Sequence, residues 1–296
     1  MKPYLITVGA SGRVGRLLQK AAVHHASDMR HFWTSRNPDA STAPGNLRWS
    51  LDDGADKLGS LIAQSGQEAV LFVLAGVTSG SEAELAANVE LAQSCLVAAK
   101  RNGVPRVLLA SSSAVYGLPQ SGSLTETDEP YMPNAYGRAK LAMESIAAPF
   151  RNDGIDVCCL RIGNVVGADS LMRAADSASP DAPLFLDRFP DGDGPRRSYI
   201  GPITLLRVVE RLAEAASALP FLLNTAAPNP VSMAALARAA KIPWEWREAP
   251  DNARQDIILS CARLEDFFEF SRSASDPNGL IKQLAFGLGT NKHDDR

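Results

Sequence analysis

Four kinds of feature are scarce or missing in this chain, and each absence narrows what it can do. Cysteine occurs four times, at Cys95, Cys158, Cys159 and Cys261, with no CxxC pair and no spacing that suits a metal. That pattern reads as buried thiols in a reducing compartment, without a disulfide framework. Histidine also occurs four times, three of them (His24, His25 and His31) close together near the first helix, and no HExxH-like spacing appears, so no metal centre is expected. No apolar run is long enough to span a bilayer, and the N-terminus enters a strand at once without a leader-like segment, so a cytoplasmic protein is expected. Charge of one sign is missing as well. Thirty Lys and Arg against 33 Asp and Glu leave a net charge of −3, which speaks against nucleic acid or an anionic membrane as a partner. Neither an internal repeat nor a low-complexity tract is present. What remains is 296 residues, 45% of them hydrophobic, enough for one large α/β unit or two lobes with a sizeable core.

The first informative stretch is Gly9-Ala10-Ser11-Gly12-Arg13-Val14-Gly15. Before it, Tyr4 to Val8 is apolar and reads as a buried strand. After it, Val14, Leu17, Leu18, Ala21 and Ala22 recur at helical spacing. Strand, glycine turn and helix together are the context of a dinucleotide-binding turn, the other reading of the motif alone being an ordinary glycine-rich βα turn. Gly9 permits the tight turn, Gly12 lets a pyrophosphate reach the backbone, and Gly15 lets helix and strand pack closely. The N–H groups and positive dipole end of the helix then face the phosphates.

Further along, Met29 to Ser35 suggests a second strand, ending at Ser35-Arg36 and an Asn-Pro turn. An acidic residue there would hold a ribose 2′-hydroxyl, whereas arginine suits a 2′-phosphate. No acid is present, so Ser35 and Arg36 favour NADP over NAD; the other reading of Arg36 is a solvated loop charge. A third strand is expected from Asn46 to Leu51, with Asp52 or Asp53 facing the adenine, and a short helix from Asp56 to Ser65. Ala69 to Ala75 is continuously apolar, as in a central parallel strand, and ends at Gly76. A helix from Ser81 to Asn102 carries Asn88 inside it. The next strand, Val104 to Ala110, runs into Ser111-Ser112-Ser113 at the sheet edge where α/β ligands bind.

After a loop rich in Pro, Gly, Ser and acids, a helix opens at Ala135 and runs to about Ala147. Tyr136 and Lys140 lie four apart on one face of it. An ammonium beside a phenol stabilises phenolate, which suits a tyrosine to general acid–base work near neutrality. The pair read alone is equally a surface tyrosine with an unrelated lysine. Asp156 to Ile162 is another buried strand. Past Gly167 the pattern weakens until a helix from Ile203 to Ala218, a strand at Phe221 to Asn224, a helix from Ser232 to Ala240, a strand at Ile257 to Ser260 and a short helix at Leu264 to Phe270.

Six pieces arrive in a familiar order: GASGRVG at 9–15, LAG at 74–76, Asn88, SSSAVYG at 111–117, YGRAK at 136–140 and LRIGNVVG at 160–167. With them the chain resembles the extended short-chain dehydrogenase/reductase, or NAD-dependent epimerase/dehydratase, family over about residues 1 to 270. The resemblance implies an α/β fold: a Rossmann-like doubly wound parallel sheet with a small C-terminal substrate-binding lobe. On that division residues 1–167, with about 196–226 returning, bind the dinucleotide. Residues 168–195 and 227–290 form the lobe, and 291–296 a polar tail. It implies Ser112, Tyr136 and Lys140 as catalytic residues. The dinucleotide would lie along Gly9, Ser11, Gly12, Arg13, Val14, Gly15, Ser35, Arg36, Asp52, Leu74, Ala75, Gly76, Asn88 and Ile162, as well as Tyr136 and Lys140. Ser113, Asn164 and Arg197 would meet the substrate, Arg197 through a phosphate, its other reading being a surface charge. The implied reaction is hydride transfer at a sugar-like hydroxyl or carbonyl, as a dehydrogenase/reductase or a nucleotide-sugar epimerase, in a possible homodimer through the helices of Asn88 and Tyr136.

Two departures qualify the likeness. Ser113-Ala114 stand where the family's dehydratases carry an Asp-Glu pair, which disfavours water elimination. The stretch between Gly167 and Arg196 is short for clamping a whole nucleotide, which favours a smaller sugar-like molecule. A catalytically silent, cofactor-sensing regulator of the same fold is the alternative reading.

Overall fold

The computed structural model describes residues 2–25, 27–36, 45–64, 69–118 and 122–285. Residues 291–296, read above as a tail, lie outside them. Seven strands form one parallel sheet: β1 (Tyr4–Val8), β2 (His31–Ser35), β3 (Asn46–Arg48), β4 (Ala69–Val73), β5 (Arg106–Ser112), β6 (Asp156–Ile162) and β7 (Leu222–Thr225). Their order across the sheet is β7-β6-β5-β4-β1-β2-β3. The order reverses between β1 and β4, and that switch point opens a crevice at the strands' C-terminal ends.

The apolar runs explain why these strands sit inside. Leu5, Val70, Phe72, Leu108 and Leu160 belong to one core, and Ile6, Leu71, Val73, Val107 and Leu109 to another. Neighbouring residues on a strand point to opposite faces, so both faces must be covered. Helix α1 (Arg13–His24) packs with α5 (Pro202–Ala213) on the first face. On the second, α3 (Glu82–Arg101) lies between α2 (Gly54–Gln64) and α4 (Ala135–Ala147). Helix α3 is fixed at its start by a capping box in which Ser81 and Glu84 satisfy each other's backbone N–H groups. All four cysteines are buried in these cores or beside them.

Several boundaries differ from the sequence reading for physical reasons. The third strand ends at Arg48, because the Asp53 carboxylate accepts hydrogen bonds from the backbone N–H and hydroxyl of Ser50 (2.8 and 2.9 Å) and winds Leu51–Asp53 into a short 3-10 turn. Helix α5 stops at Ala213 rather than Ala218. The Arg106 guanidinium gathers the carbonyls of Leu212, Ala213, Ala215 and Ser217 at 2.8 to 3.1 Å and turns the chain there. The residues outside the large sheet make more strands than expected. Ser123–Leu124, Asp256–Leu259, Arg196–Arg197 and Val231–Ser232 form a four-stranded sheet, and Leu184–Arg188 pairs in parallel with Trp244–Glu248. A third core, with Val166, Leu186, Tyr199, Leu236 and Leu280, lies among these segments. No helix among the described residues is long and apolar enough to cross a membrane.

Candidate active site

A cleft of about 790 Å³ runs along the C-terminal edge of the sheet. At its centre is the glycine turn. Gly9 sits at φ +99°, and a Cβ there would collide with Ala75, so neither the conformation nor the space admits a side chain. A Cβ on Gly15 would stand 2.5 Å from the Ala10 carbonyl oxygen, which is how α1 comes so close to β1. Gly12 is different: a Cβ there would meet only Gly9 O, at 3.4 Å, so its backbone faces open space. It is also the N-cap of α1, with no side-chain cap and no acidic residue in the first turn. Uncapped N–H groups at the positive end of a helix, with room in front of them, fit a phosphate.

One end of the cleft is built by the tips of β2 and β3. Thr34, Ser35 and Arg36 line it with Trp49, Ser50, Leu51 and Asp52. The Thr34 and Ser35 hydroxyls are buried without a hydrogen-bond partner, while Arg36 is exposed. Of the two aspartates considered there, Asp52 faces the cleft. Asp53 is occupied by Ser50 and by Lys57 at 2.7 Å, and the hydrogen bonds from Lys57 and Ser50 hold its carboxyl down to about 2. Leu74, Ala75 and Gly76 line the middle. Asn88 does not; buried behind them, it donates to the Val77 carbonyl (2.9 Å) and accepts from the Val77 N–H (3.2 Å), clamping the loop that forms the cleft floor.

The other end joins three elements. β5 delivers Ser112, whose hydroxyl caps the turn Ser113–Tyr116 by accepting from the Ala114 N–H at 3.2 Å. Asn134 caps α4 by accepting from the Gly137 N–H at 2.8 Å, and the first turns of α4 present Tyr136 and Lys140. Ile162 and Asn164 come from the end of β6 and just beyond, and they line the same space as Ser112, Tyr136 and Lys140. The Ser112 hydroxyl lies near enough to the Tyr136 phenol to act on it. Lys140, 3% exposed, donates to the Ala110 carbonyl at 2.7 Å, and its Nζ stands 5.9 Å from the centre of the Tyr136 ring.

The electrostatics correct one expectation. Burial pushes the Tyr136 phenol above its ordinary range, against the smaller opposing effect of the nearby Ser112 hydroxyl. Burial also pulls the Lys140 ammonium down to about 8. The lysine is directed at a carbonyl in a dry setting, and so it does not hold the tyrosine low. At rest the tyrosine is a neutral phenol.

Two residues expected at the substrate do not line the cleft. Ser113 begins the turn behind Ser112. Arg197 points its guanidinium at the carbonyls of Arg196 (2.8 Å), Gln255 (2.6 Å) and Arg254 (3.1 Å), and burial lowers its pKa. Sequence reasoning missed two others at this end, Asp169 and Arg173. Asp169 caps a short helix, Ser170–Ala175, by accepting from the Leu171 and Met172 N–H groups, and one of its oxygens is buried without a partner. Asp-Ser before an apolar pair is a capping signal that the weak pattern beyond Gly167 concealed.

The UDP-glucose 4-epimerase of Corynebacterium glutamicum is 29% identical over 174 residues, 55% of this chain and 52% of that protein. The chain spans about half the length of the curated relatives it matches. Among solved structures, UDP-glucose 4-epimerase from Brucella ovis in complex with NAD superposes with a TM-score of 0.79 at 21% identity, covering 96% of this chain and 98% of that one. TunA, an NAD-dependent NDP-hexosamine 5,6-dehydratase involved in tunicamycin biosynthesis, gives 0.74 at 17% identity, covering 97% and 98%. At these identities the two structures speak for the fold. The model of the NAD dependent epimerase/dehydratase family matches residues 5–208, more than half of the chain, and the protein belongs to that family.

Proposed function

We propose that this protein is a nicotinamide-dinucleotide enzyme that transfers hydride at a hydroxyl or carbonyl of a sugar or nucleotide sugar, with Tyr136 as acid and base. The observation that carries the reading is the meeting of Ser112, Tyr136 and Lys140 at one end of a cleft whose centre is an uncapped, glycine-lined helix start. The turn from Gly9 to Gly15 holds the phosphates through backbone N–H groups. Ser35, Arg36 and Asp52 hold the adenosine half, and Lys140 the second ribose. When bound, the dinucleotide supplies the hydride acceptor or donor at its nicotinamide ring. Ser112 hydrogen-bonds the reacting oxygen. Tyr136 takes the proton from that oxygen as the alcohol is oxidised and returns it on reduction.

Ser35 and the exposed Arg36, standing at the tip of β2 where an acid would hold a ribose hydroxyl, support NADP over NAD. Ser113 and Ala114 supply no acid–base pair beside Ser112, so water elimination is not part of this reading. Asn164, Asp169 and Arg173, in the segments from 164 onward that make the substrate side, meet the sugar. The division into a dinucleotide unit (1–167 with 196–226) and a substrate lobe (168–195 and 227–290) belongs to the same proposal. So does a homodimer through α3 and α4, which sedimentation would test.

The test is absorbance of the reduced nicotinamide. Purified protein is given NADP or NAD with a panel of free sugars, uronic acids and nucleotide sugars, in both directions, with chromatography for isomerised product. Net absorbance change with one compound identifies a dehydrogenase or reductase, and isomer without absorbance change an epimerase. Tyr136→Phe should lower turnover by about a hundredfold or more while dinucleotide binding persists. Dinucleotide binding with no turnover of any compound would favour the regulator instead.

A further inference from the structure

Beneath the cleft, one turn beyond Lys140 on α4, lies the buried carboxylate of Glu144. Both it and its partner Arg161, on β6, are 5% exposed at the side chain, and they meet at 2.8 Å. Arg161 Nε reaches the other carboxylate oxygen at 3.1 Å, and the Ser111 hydroxyl, on β5, donates to that same oxygen at 2.5 Å. Three elements therefore meet at one side chain. The arginine is seated in turn: its guanidinium lies 4.8 Å from the centre of the Tyr116 ring, and Tyr116 donates to Asn224 at 2.7 Å. Buried ion pairs are weak sources of stability, because desolvation offsets the attraction. A pair this well fixed calls for a reason besides stability.

The surroundings of Lys140 suggest one. Its head is packed against the Ala110 carbonyl and the Met143 sulfur. The titratable groups facing it are Tyr136 and Glu144 from its own helix and Cys159 from β6. Burial keeps the Cys159 thiol protonated and the Tyr136 phenol neutral. The only one of these that carries negative charge at neutral pH is the Glu144 carboxylate. Residues four apart on a helix have Cβ atoms about 5–6 Å apart, well inside the range at which a buried charge acts.

We propose that Glu144 is a positioning residue that acts through Lys140: anchored by Ser111 and Arg161, its carboxylate is the fixed negative charge that holds the lysine's ammonium beside the Tyr136 phenol. The inference rests on the proposed roles of Tyr136 and Lys140. Ser111, the first of the three serines, then has a task of its own, which is to aim the carboxylate and not to touch substrate.

The test reads Lys140 directly and needs neither substrate nor dinucleotide, so its failure is separable from failure of the enzymatic reading. The full chain is pulse-labelled with acetic anhydride from pH 6 to pH 10.5, and acetylation of the Lys140 peptide is followed by mass spectrometry. Glu144→Gln keeps an oxygen for Ser111 and Arg161 but removes the charge. It should move the labelling midpoint of Lys140 down by about one pH unit. Glu144→Asp, which retains the charge, should restore most of that shift. Where Glu144→Gln fails to fold because Arg161 is left unpaired, the double variant Glu144→Gln/Arg161→Met removes both charges and should shift the midpoint in the same direction. A midpoint unmoved in whichever of these folds, even with a lower melting temperature, would show Glu144 to be structural only and overturn the proposal.

Discussion

Replacing Lys140 by methionine should make the fold more stable at neutral pH while removing function. Burial takes the ammonium from its ordinary 10.5 to about 8 in the folded chain. Each unit of that difference is worth about 1.4 kcal/mol, so burying the charge costs the native state about 3 kcal/mol. Methionine keeps an unbranched apolar stem of similar length. It also leaves the Ala110 carbonyl without its 2.7 Å donor, at a cost of about 1 kcal/mol, so the expected net gain is about 2 kcal/mol. The sign of the pH dependence follows from which state holds the proton. Below about pH 8 both states are protonated and the full penalty is present. Between about 8 and 10.5 the folded chain has released its proton and the unfolded chain still holds it, so wild-type stability rises with pH. The advantage of Lys140→Met should therefore shrink across that window and reverse above it. Wild-type stability alone would not reveal this. The buried cysteines, raised by burial from 9.0, lose stability for the fold above pH 9. Urea melts of both proteins at pH 7, 8, 9, 10 and 11 cancel that common slope. A difference that stays flat from pH 7 to 10.5 would mean that Lys140 titrates alike in both states, and would refute the argument.

The glycine turn separates stability from binding. Gly9→Ala, at φ +99° and against Ala75, should cost about 2–4 kcal/mol in a thermal or urea melt. Gly12→Val should melt within about 0.5 kcal/mol of wild type yet weaken dinucleotide binding about tenfold or more by nicotinamide fluorescence, since its side chain enters the open space in front of α1. Arg36→Asp should shift the preference from NADPH towards NADH by about ten- to a hundredfold in the same titration, and an unchanged ratio would remove the argument for NADP.

The strands of the large sheet were legible because parallel strands buried on both faces are written as continuous apolar runs. Asp156 to Ile162 was read to the residue, and Ala69 to Val73 within two. The meeting of Ser112, Tyr136 and Lys140 at one end of the cleft was legible because helical spacing puts Tyr136 and Lys140 on one face and the family resemblance points to Ser112 at a strand end. The segments beyond Gly167 were not. Leu184–Arg188 and Trp244–Glu248 are short and bury few side chains fully, so they carry no continuous apolar run, and their pairing joins residues about sixty apart. Arg197 had the right neighbours in sequence, but which way a guanidinium turns depends on carbonyls at 254 and 255, and local pattern carries no trace of those. Asp169 and Arg173 reach the cleft only because the short helix after β6 folds back over it.

The strand Ser123–Leu124 belongs to the very loop that joins Ser112 to Tyr136, yet its ladder partner is Asp256–Leu259. Asn224, on β7, ties that loop down as well by donating to the Leu124 carbonyl, while the Ser260 carbonyl shares its amide. The connection between Ser112 and Tyr136 is thus held in place by residues a hundred or more positions later in the chain. A chain emerging from the ribosome can form its central strands and its glycine turn early, and the span between Ser112 and Tyr136 can close locally through Gly117 and Tyr131, but Ser123–Leu124 has its ladder partner only once Asp256–Leu259 has been synthesised. Contacts of such long sequence separation form slowly. Completion of the site should trail formation of the sheet, and chains cut shortly after α5 should retain helices and strands while Tyr136 and Ser112 stay unaligned.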